Sequence, residues 1–286
     1  MTHFKRELTL FDMTMIAVGG TIGSGIFLTP ATIARDVHTP WLIFAVWVMG
    51  GLITLAGALT FSEAAALLPE AGGQYVFLSR AFGSLVGFLF GWAYFMVVNA
   101  GGLGALSIAF ATYLGYFVPL TPVALKVVAI CGLLVLTCIN VFGVKAGAIF
   151  SDVFTVLKLI GIGALVAAGL VLGSSGTTDF SSAGFAPPAD LWGALALGMV
   201  GVLWSYGGWQ HATYASGEIR NPQRTLPLAM TFGALGVTLI YLLTNAAYLF
   251  LLTPDQMAAT PTVAADAVET VMGPIGGRVI AVAIFI

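Results

Sequence analysis

The sequence predicts an all-α, polytopic membrane protein, and three observations carry that prediction. First, 59% of its 286 residues are hydrophobic and only 8% are charged, against about 25% charged in a soluble domain. The mean hydropathy is +1.02. Second, the apolar residues gather into stretches of roughly 20 or more, the length a helix needs to cross the hydrocarbon core. Third, glycine and proline are scattered through these stretches, as is common in membrane helices.

Seven stretches are long enough to cross: 11–34, 41–67, 84–118, 123–142, 149–173, 191–214 and 228–252. The third is overlong, which implies tilt or an end outside the hydrocarbon. Between the second and third, Tyr75, Phe77 and Leu78 alternate with polar residues. That predicts a short helix within 69–83 lying across one membrane face. An eighth stretch begins near Arg278 and is still apolar at Ile286. About nine residues make roughly 13 Å of helix, short of a crossing. The expectation is seven full spans plus the start of an eighth, in a fragment of a longer protein.

Lys and Arg set the expected orientation. With the N-terminus in the cytoplasm, Lys5, Arg6, Arg80, Lys145, Arg220 and Arg224 lie inside. Arg35, Lys126 and Arg278 lie outside, each close to a helix end. The positive-inside rule favours this arrangement. The loop around 174–190 and the segment 253–275 are then extracellular or periplasmic. The start of the chain lacks a small-residue cleavage site, so the first span is read as retained. The predicted location is the cell (cytoplasmic) membrane.

Several function classes are disfavoured. The net charge is -2 and there is no basic run, which argues against nucleic acid. Cys131 and Cys138 fall on one predicted helix, cannot bridge there, and have no metal-ligand spacing. No cofactor is implied. The spans hold no nucleophile–base pair, which argues against an enzyme, and no ring of charges, which argues against a channel.

The most informative stretch is Gly19-Gly20-Thr21-Ile22-Gly23-Ser24-Gly25. Several glycines together favour unwinding of a helix. In a bilayer an unwound backbone is tolerated only where it is buried in protein or lines a polar cavity. A second interruption is predicted in the sixth span, across Gly198, Gly201 and Trp204-Ser205-Tyr206-Gly207-Gly208-Trp209. One such cluster more often serves close helix packing, the role given to Gly101, Gly102 and Gly104. Two clusters at matching positions point instead to a transporter of inverted repeats with its site at the breaks. The first repeat would cover about 11–173 and an incomplete second about 191–286, within a single domain, 1–286.

The residues that carry this pattern also carry a resemblance. Gly-Thr-Ile-Gly-Ser-Gly-Ile-Phe at 20–27 resembles the helix 1 signature of the amino acid–polyamine–organocation (APC) transporters. Pro69-Glu70-Ala71-Gly72-Gly73-Gln74-Tyr75 is similar to that family's segment between helices 2 and 3. Trp204 to Trp209 resembles the broken helix 6, and Glu218-Ile219-Arg220-Asn221-Pro222-Gln223-Arg224-Thr225-Leu226-Pro227 resembles the loop after it. The resemblance runs the length of the chain in order. It implies a LeuT-like fold with discontinuous helices 1 and 6, and secondary transport of amino acids by alternating access.

The chemistry of the proposed site agrees with that implication. A free α-amino acid carries a carboxylate and an ammonium. The helix that restarts after the first break offers unpaired N–H groups and a positive dipole end, which suit the carboxylate. Gly23, Ser24 and Gly25 are assigned to it. The alternative for the Ser24 hydroxyl is a bond back to its own helix. The helix ends near Gly20 and Thr21, and near Trp204, Ser205 and Gly207, offer carbonyls to the ammonium. The resemblance gives Trp204 the role of an aromatic gate. Asn99 is a candidate for the substrate side chain, with an interhelical hydrogen bond as the alternative.

Lys158 is predicted roughly 13 Å into its helix. A lysine near the bilayer centre costs about 2.5–3.5 kcal/mol. The resemblance implies that it stands where sodium-coupled relatives hold a cation, so no sodium requirement is expected. The alternative is that it exchanges a proton during transport. Glu218 with Arg220 and Arg224 is a candidate inner gate, and His211 a candidate proton site or a packing histidine. Glu63 and Asp152 are expected to pair with Arg80 or Lys145, and Asp12 to start the first helix. The expected partners are an amino acid or related amine, the lipid bilayer, and a counter-transported amino acid or proton. The competing reading is a non-transporting membrane sensor, a structural subunit or an inactive fragment.

Overall fold

A computed structural model describes residues 6–68, 70, 72–141, 144–173, 178, 180 and 188–285, with backbone alone at 140, 144–155 and 283–285. The described elements are α1 (Leu10–Thr21), α2 (Gly25–Val37), α3 (Pro40–Leu67), α4 (Gln74–Phe82), α5 (Ser84–Ala93), α6 (Ala100–Gly115), α7 (Pro122–Val141), α8 (Val144–Leu172), α9 (Leu191–Ser205), α10 (Pro222–Leu251), α11 (Pro254–Ala259) and α12 (Val263–Phe285). A π-helical turn, Tyr94–Asn99, joins α5 to α6, and a 3-10 segment, Trp209–Glu218, follows α9.

Local chemistry explains most boundaries. Thr9 and Asp12 form a capping box at the start of α1, so Asp12 is the reciprocal cap carboxylate. Pro40 and Pro222 open α3 and α10, where the missing proline N–H costs nothing. Thr253 and Gln256 cap α11 in the same way as Thr9 and Asp12 cap α1.

Five described runs are each long and apolar enough to cross a membrane: Pro40–Leu67, Ser84–Gly115, Pro122–Ile139, Leu191–Glu218 and Pro222–Leu251. Helices α1 and α2 qualify together as one broken span. The expected span 149–173 falls on α8, where the described apolar run is Val156–Leu172.

The structure corrects two expectations here. The eighth stretch, expected to begin near Arg278, starts earlier: 253–275 already holds α11 and the first half of α12. Its alanines and three acidic residues, Asp255, Asp266 and Glu269, lower hydropathy, while alanine favours helix. Helix α12 is interrupted at Gly273 (φ 67°, ψ −172°) and resumes at Pro274, ahead of Arg278. Arg80 pairs with Glu70 at 2.9 Å rather than with Glu63. Lys145 and Asp152, most of 174–190, Pro69 and Ala71 lie outside the described residues or side chains.

The described chain divides into two compact units. The first takes residues up to Gly25, Ala45–Ala100 and Val202–Tyr241. Its core joins Met13 and Ala17 of α1, Ala58 and Ala65 of α3, Ala212 of the 3-10 segment, and Leu226, Ala229, Met230 and Ala234 of α10. Phe61 packs edge-on against Phe77 and Trp209 at its border. A parallel bridge pairs Leu8 with Ile219.

The second unit takes Ile26–Phe44, Gly101–Gly201 and Leu242 onward. Within it, α8 packs along α12. Arg35 at the end of α2 donates to the Ala258 carbonyl of α11. Tyr116 donates to the Glu269 carboxylate.

Two helix breaks as a candidate binding site

The candidate site lies within the first unit, where α1 and α9 both end. Helix α1 stops at Thr21, and Ile22 turns extended (φ −72°, ψ 92°) while its N–H still bonds the Val18 carbonyl at 2.9 Å. Gly23 and Ser24 form a bend before α2 starts at Gly25. The amides of Gly23 and Ser24 make no hydrogen bond among the described residues, and the Ser24 hydroxyl makes none back to its helix. Helix α9 stops at Ser205, and the turn that follows is closed by a bond from the Gly207 amide to the Trp204 carbonyl (3.1 Å). Gly198 and Gly201 stay inside α9.

The two breaks touch, and glycine makes this possible. A Cβ on Gly25 would lie 2.6 Å from the Ser205 Cα and 2.7 Å from its Oγ. A Cβ on Gly208 would lie 2.0 Å from the Gly20 carbonyl oxygen, and Gly208 has φ 124°, which side-chain-bearing residues rarely adopt. Backbone therefore packs on backbone at two points. Ser205 is buried to 2% exposure.

A tyrosine that sequence reading missed completes this geometry. Tyr241 of α10 is fully buried, and its hydroxyl faces the Thr21 carbonyl at 3.0 Å and the Ser205 carbonyl at 2.8 Å. A phenol has one proton to donate. It is placed at the C-terminal ends of two helices, where the helix dipoles are negative. The result is a locus of negative potential on which a cation gains a favourable partner. Tyr241 is held by its neighbours: Trp47 and Tyr206 pack on its ring with centroids 5.2 and 5.1 Å away, and the Tyr206 hydroxyl donates to the Trp47 carbonyl. A phenol in mid-span was itself a signal, because a buried hydroxyl needs a partner.

A second polar cluster flanks the breaks. The Tyr94 hydroxyl lies 3.4 Å from His211 Nε2, and the His211 ring packs against Tyr214. His211 Nδ1 is 3.7 Å from where a Gly20 Cβ would stand. Tyr94 opens the π-helical turn Tyr94–Asn99, a feature that recurs at functional sites.

The predicted residues fall into two groups. Gly20, Thr21, Gly25 and Ser205 are brought together, with Gly23 and Ser24 in the bend beside them. Trp204 and Gly207 are exposed at the end of α9, and Asn99 is exposed at the end of the π-helical turn. Glu218 engages through its backbone: its carbonyl accepts from the Glu7 and Leu8 amides. Its carboxylate forms no ion pair with Arg220 or Arg224. Lys158 stands half-buried on α8, in the second unit.

Comparison with known proteins follows the same lines. A family model described as amino acid permease matches residues 8–286. The chain is 33% identical over 284 residues to the serine/threonine exchanger SteT of Bacillus subtilis (strain 168), covering 99% of this chain and 64% of that protein. It is 30% identical over 277 residues to the b(0,+)-type amino acid transporter 1 of Homo sapiens, covering 96% and 57%. It is 30% identical over 280 residues to the large neutral amino acids transporter small subunit 2 of Homo sapiens, covering 94% and 52%. The chain thus spans about half to two thirds of the length of these relatives.

Proposed function

The chain belongs to the amino acid permease family, and from that premise we propose that it moves amino acids across the cytoplasmic membrane by alternating access, without sodium. It is a multi-pass membrane protein by family and by its apolar helices. The N-terminus is cytoplasmic in this proposal, and the two halves of the chain are the first repeat and the opening of the second in an inverted-repeat fold.

One observation carries the reading: two broken helices meet backbone to backbone, with unpaired amides on one side and a shared phenol proton on the other. The Gly23 and Ser24 amides, the start of α2 at Gly25 and the Ser24 hydroxyl receive the substrate carboxylate. The Thr21 and Ser205 carbonyls, with those near Gly20, Trp204 and Gly207, receive the ammonium. Tyr241 then tunes ammonium binding, because its hydroxyl bonds the same Thr21 and Ser205 carbonyls that face the ligand. Trp204 closes over the bound amino acid, Asn99 contributes to side-chain selection, and Glu218 belongs to the inner gate. Lys158 supplies a fixed positive charge in place of a coupling ion. Exchange of one amino acid for another is favoured over proton symport, because one relative is named an exchanger.

Radiolabelled serine uptake into proteoliposomes tests this. Uptake should rise when the vesicles are preloaded with unlabelled serine and should vanish in Ser24→Leu. Equal uptake by empty and preloaded vesicles would sink exchange, and unchanged serine affinity in Ser24→Leu would sink the carboxylate assignment.

A further inference from the structure

Outside the helix breaks, the first unit holds a cavity of about 430 Å³ lined by Arg6, Ala66, Asn221, Pro222, Gln223 and Arg224. We propose that this cavity binds a phosphate group, held between the guanidinium groups of Arg6 and Arg224 at the start of α10. The proposal is independent of what the transporter carries.

Three observations converge on it. The lining carries two positive charges and no carboxylate among the described residues. Neither Arg6 nor Arg224 forms an ion pair among the described residues, where Arg80–Glu70 is the bridge found. Guanidinium is the side chain whose fork best matches phosphate oxygens, and two of the six lining residues are arginines. The backbone adds to it. Pro222 has no N–H, the Arg224 and Thr225 amides both bond the Asn221 carbonyl at 3.0 Å, and the Gln223 amide is left without an internal partner.

Position decides which phosphate is favoured. The cavity sits where three candidate spans terminate: Arg6 just before α1, Ala66 in the last turn of α3, and Pro222–Arg224 in the first turn of α10. Span ends mark the headgroup level of a bilayer. The Arg6 backbone is also tied in place, since its carbonyl accepts from Arg220 Nε at 3.4 Å. The same segments carry Arg220 and the charge excess that the positive-inside rule assigns to the cytoplasmic leaflet, where anionic lipids concentrate. An anionic phospholipid headgroup is therefore the favoured source. A free phosphate shares the same chemistry.

Native mass spectrometry of the purified protein separates the two. Wild type should retain phosphatidylglycerol over phosphatidylcholine, and R6Q/R224Q should lose that preference by roughly tenfold or more, since each basic residue contributes to anionic-lipid attraction. R80Q, whose arginine is paired with Glu70 away from the cavity, should keep it. In lipid-free detergent, a rise of the unfolding midpoint with inorganic phosphate that R6Q/R224Q abolishes, without a lipid preference, would assign the site to free phosphate. Equal phosphatidylglycerol retention by wild type and R6Q/R224Q, with no phosphate-dependent shift, would overturn the proposal. So would equal loss in R80Q. If the double variant is polydisperse, R6Q and R224Q are compared singly on the same criteria.

Discussion

Tyr241 has a single proton and two carbonyls to serve, and that imbalance is testable. Tyr241→Phe keeps the ring against Trp47 and Tyr206 but removes the proton that faces Thr21 and Ser205. Hydrogen bonds within membrane proteins are worth about 0.6 kcal/mol on average. The unfolding midpoint should therefore fall slightly, while amino acid binding falls severalfold; binding at wild-type strength would show that the phenol plays no part in the site. Ser24 and Gly25 make a contrasting pair. Gly25→Ala drives a methyl to within 2.6–2.8 Å of Ser205, and such overpacking costs about 1–3 kcal/mol. It should lower stability and binding together. Ser24→Leu breaks no internal hydrogen bond, so it should abolish binding with little change in midpoint. Differential scanning fluorimetry beside a binding assay distinguishes the two patterns.

At the scale of elements, glycine-rich chemistry was readable from sequence and distant partnership was not. The runs at 19–25 and 204–209 contain the interruptions at Gly23–Ser24 and at Gly207–Gly208, because backbone freedom is a local property. Gly198 and Gly201 sit in unbroken helix, where small residues permit close approach instead. Tyr241 escaped notice because its acceptors lie 220 and 36 residues away in the chain. Glu70 rather than Glu63 holds Arg80 because the chain turns between α3 and α4, which spacing alone does not specify. The helical half of 263–272 was hidden by its composition, since alanine promotes helix without raising hydropathy to that of leucine. Gly208 offers a test at this scale. Gly208→Ala places a side chain at φ 124° and against the Gly20 carbonyl, and unusual backbone regions cost about 1–3 kcal/mol. Its unfolding midpoint should fall further than that of Gly104→Ala, where an added Cβ meets nothing within 4 Å.

At the scale of the whole molecule, the testable property is ion dependence. If Lys158 supplies the positive charge that another transporter takes from sodium, uptake should be unchanged when sodium is replaced by choline. Lys158→Ala should depress turnover far more than the amount of protein in the membrane. Collapse of uptake in choline would count against the assignment. Composition alone read the molecule as a membrane protein, and the broken-helix pattern read it as a transporter. The division into two units that interleave early and late segments was not legible, because it depends on which helices pack.

The bridge between Leu8 and Ile219 ties the residues before α1 to the end of the 3-10 segment. The Glu7 and Leu8 amides bond the Glu218 carbonyl at 2.9 and 3.0 Å, and the Arg220 amide returns a bond to the Leu8 carbonyl at 3.0 Å. Main-chain atoms make this link, so side-chain substitution at these positions leaves the donors and acceptors in place. Helix α1 and the 3-10 segment Trp209–Glu218 are thus stapled at the ends remote from the breaks and abutted at the breaks themselves. The two segments are therefore fixed to each other by main-chain contacts at both ends. Trimming the chain through Leu8 would remove this staple and leave the contact at the breaks to hold the two segments together.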